Sequence, residues 1–321
     1  MPAEERSPTS PPPPAARASQ PEQRIWRPLD LIQWTKEYFS RKGVPAARLE
    51  AELLLAEVLH CERVKLYANF EMPVEQEALA RFKALVKRRV ETREPIQYIL
   101  GHAQFLGLRI EVTPAVLIPR PETEELAEWA IVVLKGLPGD GPLSVLDLGT
   151  GSGCLALALA QATPRARVLA LEIAPVALEV ARANARRLQL EDRIEFLESD
   201  LFSALPPERS GAADLIVANP PYIDPALRTT LQVEVRDHEP AGALFAADAG
   251  RAVIRRIIVA APRWRRPGGW LGVELSPEQA QWAAQTAAAA GFQRVEIRKD
   301  LAKKERILVA AAPPPSNQAV L

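Results

Sequence analysis

The stretch Leu143-Ser144-Val145-Leu146-Asp147-Leu148-Gly149-Thr150-Gly151-Ser152-Gly153-Cys154-Leu155-Ala156-Leu157-Ala158-Leu159-Ala160 decides the fold. It opens with a short apolar run, the pattern of a strand buried on both faces. Three glycines at alternate positions follow, and behind them an alanine- and leucine-rich helical segment. Strand, glycine turn and helix in that order make the first unit of a doubly wound α/β sheet. Outward from it the alternation repeats. Strands are expected near 143–148, 166–171, 193–197, 213–218, 269–275, 292–298 and 305–310, and helices near 153–162, 175–189, 250–262 and 277–290. The result is a seven-stranded, Rossmann-like sheet covered on both faces.

The glycine turn also points to a ligand. Glycine lets a bound molecule approach the backbone closely. Glu172 stands at the tip of the second strand, where an acid suits a ribose diol as a bidentate acceptor; a surface loop acid is the plainer alternative. The spacing is GxGxG and not the GxGxxG that cradles a pyrophosphate, which favours a nucleoside cofactor without one. S-adenosylmethionine fits, with the residues Gly149, Thr150, Gly151, Ser152 and Gly153 along its path and Glu172 on its ribose. Asp200, in Glu198-Ser199-Asp200-Leu201-Phe202, follows the third strand. It either accepts from an adenine amino group or caps a helix, and Leu201 or Phe202 packs on the base. Asp147 orients the glycine loop or the cofactor's amino group, or is purely structural.

A second stretch, Asn219-Pro220-Pro221-Tyr222, directly follows the apolar run Ala213-Asp214-Leu215-Ile216-Val217-Ala218. It stands at a strand's carboxyl end, where open α/β sheets place their ligands. Two prolines fix φ and donate no backbone hydrogen bond, and a residue before proline is confined to extended conformations. The stiff loop presents one carboxamide, free carbonyls and one ring. That set suits a planar –NH2 group: Asn219 and the Pro220 carbonyl accept its two N–H bonds while Tyr222 packs on its face. By itself the loop does not choose between a side-chain amide and a nucleobase amine, and a Pro-rich turn is its bland reading.

The 321 residues suffice for about two domains. Lys+Arg and Asp+Glu both number 40, so the formal net charge is zero; a duplex-binding enzyme would carry a basic excess, and no direct nucleic-acid substrate is expected. Two distant cysteines, Cys61 and Cys154, and three histidines give no metal-binding pattern and suggest a reducing, cytoplasmic compartment. No apolar run reaches the length of a membrane span, and the N-terminal Met1-Pro2-Ala3-Glu4-Glu5-Arg6 lacks the apolar core of a secretory signal.

Along the chain, residues 1–22 form a Pro-rich extension expected to be disordered. Residues 23–94 read as a small helical bundle, with helices from about 29 to 39, 45 to 60 and 74 to 92. Within the last, Lys87-Arg88-Arg89 is expected to be a solvated face. Residues 95–120 read as a β-hairpin connector of extended runs at 96–100, 104–105 and 108–112, punctuated by Gly101 and Gly107. Residues 121–311 form the α/β domain, opened by a helix with Glu122, Glu124 and Glu125 in its first turn. Residues 312–321 are expected to be a disordered tail.

Together these motifs resemble the PrmC/HemK family over roughly residues 26–311. The likeness rests on Arg93-Glu94-Pro95-Ile96-Gln97-Tyr98-Ile99, on Leu117-Ile118-Pro119-Arg120-Pro121-Glu122-Thr123-Glu124-Glu125-Leu126, on the glycine turn, on Asn219-Pro220-Pro221-Tyr222-Ile223-Asp224, and on Lys299-Asp300-Leu301 with Glu305-Arg306. The resemblance implies a class I methyltransferase domain behind a helical domain that recognises the substrate protein. It implies methyl transfer from S-adenosyl-L-methionine, leaving S-adenosyl-L-homocysteine, to the side-chain amide nitrogen (N5) of the glutamine in the GGQ motif of peptide chain release factors, in support of translation termination. Asn219, Pro220, Pro221 and Tyr222 would bind that glutamine, with Asn219, Pro220 and Tyr222 catalytic and Asn219 also touching the cofactor. Many relatives carry Asp at the position of Glu172 and Trp at that of Leu201, so apolar packing would replace stacking on the adenine. A monomer is expected. Adenine-N6 nucleic-acid methyltransferases and ribosomal-protein glutamine methyltransferases share part of the pattern and remain alternatives, as does a non-catalytic binding module.

Overall fold

The computed structural model describes residues 25–312. The Pro-rich extension at 1–22 and all but the first residue of the tail at 312–321 lie outside the described residues. Ala312 itself is buried and donates its N–H to the Gly269 carbonyl at 3.0 Å, so it belongs to the domain rather than the tail. The chain divides into two compact units that meet in sequence between Val86 and Lys87.

The first unit contains α1 (Pro28–Arg41), α2 (Ala47–Val58), α3 (Arg63–Ala68) and the first part of α4 (Gln76–Thr92). Pro28 and Asp30 open α1, where a missing N–H costs nothing and a negative charge meets the helix dipole favourably. Leu31, Ile32 and Phe39 of α1, Leu54 and Leu55 of α2, Leu66 of α3 and Phe82 of α4 form the buried set. The short α3 escaped the sequence reading, because six residues carry too little periodicity to be seen. Buried Glu52 is satisfied by Arg48, Arg63 and the Tyr67 hydroxyl, as a buried carboxylate must be.

The second unit continues with α5 (Ile96–Leu100), β1 (His102–Phe105), β2 (Leu108–Glu111), α6 (Pro121–Gly136), β3 (Leu143–Leu148), α7 (Cys154–Ala162), β4 (Ala166–Glu172), α8 (Pro175–Arg187), β5 (Ile194–Glu198) and β6 (Ala213–Ala218). It ends with α9 (Val233–His238), α10 (Ala241–Leu244), α11 (Ala252–Trp264), β7 (Arg265–Glu274), α12 (Ala280–Ala289), β8 (Arg294–Lys299) and β9 (Glu305–Ala311). Strands β1 and β2 pair as an antiparallel hairpin. Ile96–Leu100, expected to be extended, is instead a short helix. Pro95 precedes it, its carbonyl accepting from Tyr98 and Ile99, and Gly101 ends it at φ 76, so the two breakers act as caps.

The seven-stranded sheet has the order β5-β4-β3-β6-β7-β9-β8, parallel except for β9, which runs antiparallel between β7 and β8. Alternate residues of each strand face opposite layers. Val145, Val168, Leu215 and Val217 pack under α6, α7 and α8, whereas Leu146, Leu169, Leu171 and Ile216 pack against α11 and α12. Burial on both faces is why the strands read as continuous apolar runs.

The basic run of α4 departs from expectation at one residue. Lys87 and Arg88 stay exposed and pair with Glu91 and Glu94. Arg89 is only 2% exposed and lies 3.1 Å from Glu234 of α9, which also takes Arg93 at 2.7 Å. An acid 145 residues away turns one member of a nominally solvated face into a buried tie. Removing one partner of such a pair typically costs about 3–5 kcal/mol.

Candidate active site

The chain reverses its direction of strand addition at β3: β4 and β5 add on one side, β6, β7, β9 and β8 on the other. Such a switch point opens a crevice at the strands' carboxyl ends. A cavity of about 370 Å³ lies there, within the usual range of small-molecule sites, roughly 300–1,000 Å³. Its wall takes Gly149, Thr150, Gly151 and Ser152 after β3, Glu172 from β4, Asp200 and Leu201 after β5, and Asn219, Pro220 and Pro221 after β6. Arg120 and Thr123 at the start of α6 complete that side.

Gly149 and Gly151 take φ values of +71° and +55°, and a side-chain carbon added at either would project into open space with nothing within 4 Å. The backbone is bare where a ligand would pass. Gly153 differs: an added carbon would meet Ala181 Cβ at 3.2 Å and Leu157 Cδ1 at 3.3 Å, so it sets the approach of α7 and α8 from behind the wall. The loop is held by two acids. Glu172 accepts the Gly151 N–H with Oε2 at 2.9 Å, and with Oε1 the N–H groups of Ile173 at 2.9 Å and Ala174 at 3.1 Å. A carboxylate offers about four acceptor sites, so capacity remains toward the cavity.

Asp147 is fully buried. Its Oδ2 accepts from the Thr150 hydroxyl at 2.6 Å and the Ala156 N–H at 3.2 Å, while its Oδ1 has no partner. Burial pushes this carboxyl up to about 7, against the pull of those two donors and with the charge of Glu172 adding to the rise. An orphaned buried oxygen of this kind is costly unless a donor arrives. Bare glycine backbone and an acid with acceptor capacity suited to a diol fit S-adenosylmethionine, whereas Asp147 is not part of the cavity wall and holds the glycine loop through Thr150. Cys154 also lines the cavity; burial, followed by the charge of Asp147, pushes its thiol up to about 12, so it stays protonated and non-nucleophilic.

Around Asp200 the helix-capping alternative is not met. No helix begins there. Ser199 closes the local turn, its hydroxyl accepting the Ala204 N–H and donating to the Leu201 carbonyl. Asp200 takes Arg256 of α11 at 2.8 Å. Leu201 lines the cavity at φ 53°, while Phe202 turns away and stacks on Trp264 with centroids 5.9 Å apart.

The loop after β6 is braced from several directions. Asn219 Nδ2 donates to Thr123 Oγ1 at 2.9 Å, and Thr123 Oγ1 donates to Glu274 Oε2 at 2.6 Å. The Tyr222 hydroxyl donates to Glu274 Oε1 at 3.1 Å. Tyr222 is not among the residues that line the cavity, where its ring was expected to pack on an amide, and its hydroxyl is engaged by Glu274. Gln279 donates to the Tyr222 carbonyl at 2.9 Å, and Gly250 packs so close that an added carbon would lie 2.0 Å from that oxygen. Neither Asn219 Oδ1 nor the Pro220 carbonyl accepts a hydrogen bond from any described residue. Two acceptors are thus left at the cavity, side by side in sequence.

Sequence reasoning missed Thr123, Glu274, Arg120 and Glu239. Arg120 Nη2 lies 2.7 Å from both carboxylate oxygens of buried Glu239, fixing the chain after α9 against the start of α6. Glu274 is fully buried at the end of β7. Burial pushes it up to about 7; Thr123 and Tyr222 oppose the rise, Glu122 adds to it and Arg306 opposes it. Its one visible signal was a lone acid closing the apolar run Trp270-Leu271-Gly272-Val273. Among the described residues no group of three or more His, Cys, Asp or Glu is placed to hold a metal, and no helix is long and apolar enough to cross a membrane.

Comparison with known proteins follows the same lines. The PrmC N-terminal domain model matches residues 30–101 and the methyltransferase small domain model matches residues 130–236. A release factor glutamine methyltransferase of Geobacter sulfurreducens is 45% identical over 268 residues, covering 84% of this chain and 90% of its own length. One of Rhodopirellula baltica is 40% identical over 285 residues, covering 88% and 95%. The catalytic domain of hMettl16, solved with a MAT2A 3′UTR hairpin, superposes with a TM-score of 0.52 over 77% of this chain and 85% of its own, at 16% identity, a likeness of fold alone. On the extent and identity of these matches, the chain belongs to the release factor glutamine methyltransferase family.

Proposed function

We propose that the protein transfers a methyl group from S-adenosylmethionine to the side-chain amide nitrogen of the glutamine in the GGQ motif of peptide chain release factors. The observation that carries the chemistry is the pair of free acceptors, Asn219 Oδ1 and the Pro220 carbonyl, in the loop that lines a cavity also lined by bare glycine backbone. When bound, S-adenosylmethionine supplies a methyl on a sulfonium sulfur, already activated for displacement. Gly149, Thr150, Gly151 and Ser152 would hold it, with Glu172 on the ribose and Asp200 and Leu201 at the adenine, while Asp147 braces the glycine loop through Thr150.

The chain's own residues then act by positioning. Two acceptors take both N–H bonds of the substrate amide, raise electron density on nitrogen and aim it at the methyl carbon. Transfer would form the nitrogen–carbon bond and break the carbon–sulfur bond, whose electron pair would stay with sulfur. An amide carries no ammonium proton, so no base acts first; its proton leaves late, to water, once the nitrogen is methylated. Orientation of this kind can lower a barrier by roughly 7–11 kcal/mol. Tyr222 serves, through its hydroxyl on Glu274, as a brace for the loop.

The helical unit would engage the release factor beyond its GGQ loop. Val64, Tyr67, Phe70 and Met72, close in sequence on and after α3, are exposed apolar side chains suited to a protein partner. A substrate of translation termination places the activity in the cytoplasm. A nucleobase amine would satisfy the same two acceptors, but the likeness to the hMettl16 catalytic domain is one of fold and carries no substrate across. The deciding assay offers labelled S-adenosylmethionine with a release factor, with the factor whose GGQ glutamine is replaced, and with duplex DNA. Label on the intact factor alone supports the reading, and label on the nucleic acid overturns it.

A further inference from the structure

Resting on that reading, we infer that Thr123 and Glu274 are positioning residues that dictate which end of the Asn219 carboxamide faces the substrate. An Asn side chain can turn over by 180° about its last bond, exchanging a two-donor end for an acceptor end of nearly the same shape. Only the acceptor end can bind a substrate –NH2; the donor end would oppose it, N–H against N–H. Something must therefore choose, and the prolines do not, because they restrain the backbone and leave the side-chain torsion free.

The choice is made by a chain of hydrogen bonds with a single direction. In its ionised form Glu274 only accepts, and the relay has its direction in that form. It lies within bonding distance of two hydroxyls, Thr123 at 2.6 Å and Tyr222 at 3.1 Å, so both donate to it. Having spent its one proton on Glu274, Thr123 Oγ1 can only accept from Asn219, at 2.9 Å, and so selects Nδ2. Oδ1 is left for the cavity. Thr123 is 1% exposed and Glu274 fully buried, so water cannot replace either partner cheaply. The relay joins the first turn of α6, the end of β7 and the loop after β6, which makes it a tertiary device and not a local turn.

The relay acts on Asn219 alone, which gives a test distinct from general destabilisation. In the full-length protein, methyl transfer from labelled S-adenosylmethionine to a release factor is measured for wild type, Thr123→Val, Asn219→Ala and the double variant, with cofactor affinity by calorimetry. Valine keeps the shape of threonine and removes the relay. Thr123→Val should lower kcat by about tenfold, the scale of one lost oriented hydrogen bond, with cofactor affinity unchanged. In the Asn219→Ala background it should change kcat by less than about twofold, because there is no carboxamide left to orient. Thr123→Ser, which keeps the hydroxyl, should recover most of the loss. If valine perturbs folding, Thr123→Ala in the same cycle reads the same coupling. Equal losses from Thr123→Val in both backgrounds, or an unchanged kcat in the single variant, would overturn the relay. Absence of glutamine methylation by wild type would instead overturn the functional reading beneath it, so the two failures are distinguishable.

Discussion

The two loops that wall the cavity sit at the carboxyl ends of neighbouring strands, β3 and β6, which pair in register from Val145↔Leu215 to Leu148↔Ala218. They reach the same end by opposite means. The loop after β3 is built from glycines, and a chain that loose must be pinned. Its pins, Asp147 and Glu172, lie within 21 residues of what they hold. The loop after β6 is built from prolines, and its backbone is stiff without help. What it needs is orientation, and that comes from Thr123, 96 residues from Asn219, and from Gln279 and Glu274, 57 and 52 residues from Tyr222. A flexible binding loop carries its anchors with it; a rigid one is aimed by the rest of the fold.

The comparison can be broken most severely at Asn219. Replacement by Ala should reduce kcat by an amount equivalent to about 2–4 kcal/mol, as for other oriented polar groups in closed sites. Cofactor affinity, set by the other loop, should stay within about twofold on calorimetry. Gly250→Ala comes next. It strains a backbone at φ +78° and drives a carbon to within 2.0 Å of the Tyr222 carbonyl. Denaturant unfolding should show a loss of about 2–3 kcal/mol, and kcat should fall because the aimed loop must move.

Gly149→Ala probes the other side. Space exists for the carbon, but the conformation is unfavourable and the carbon occupies the ligand's path. A loss of cofactor affinity of about 1–2 kcal/mol is expected, with kcat at saturating cofactor nearly unchanged. A further test lies in pH. Asp147 and Glu274 are both held up near 7 in the folded protein, whereas unfolded carboxyls titrate near 4. The folded state therefore retains protons that the unfolded chain has released, and stability without cofactor should fall as pH rises from about 4 to about 7 and level off above. The decline is read by chemical denaturation across that range, and Asp147→Asn should flatten part of it.

What could be read from sequence follows the same division. The strands and the glycine loop were legible because buried parallel strands are apolar throughout and because the loop's anchors sit at motif spacing. Asn219-Pro220-Pro221-Tyr222 was legible as a stiff clamp. Its aim was not: nothing local to Thr123 or Glu274 reveals that α6 and β7 bring them together. The bond from the Tyr222 hydroxyl to Glu274 was illegible for the same reason, since only the fold brings the two together. Ile96–Leu100 was misread because Pro95 and Gly101 punctuate a short helix as readily as a strand. Arg89 looked solvated until α9 placed Glu234 against it.

The central claim is that the two free acceptors after β6 present a release-factor glutamine to the cofactor held after β3. Mass spectrometry of a release factor incubated with the protein and S-adenosylmethionine tests it most directly. The account predicts one added methyl on the glutamine of the GGQ motif, lost when that glutamine is replaced and nearly abolished by Asn219→Ala. A methyl on any other residue, or undiminished methylation by the Asn219→Ala protein, would contradict it.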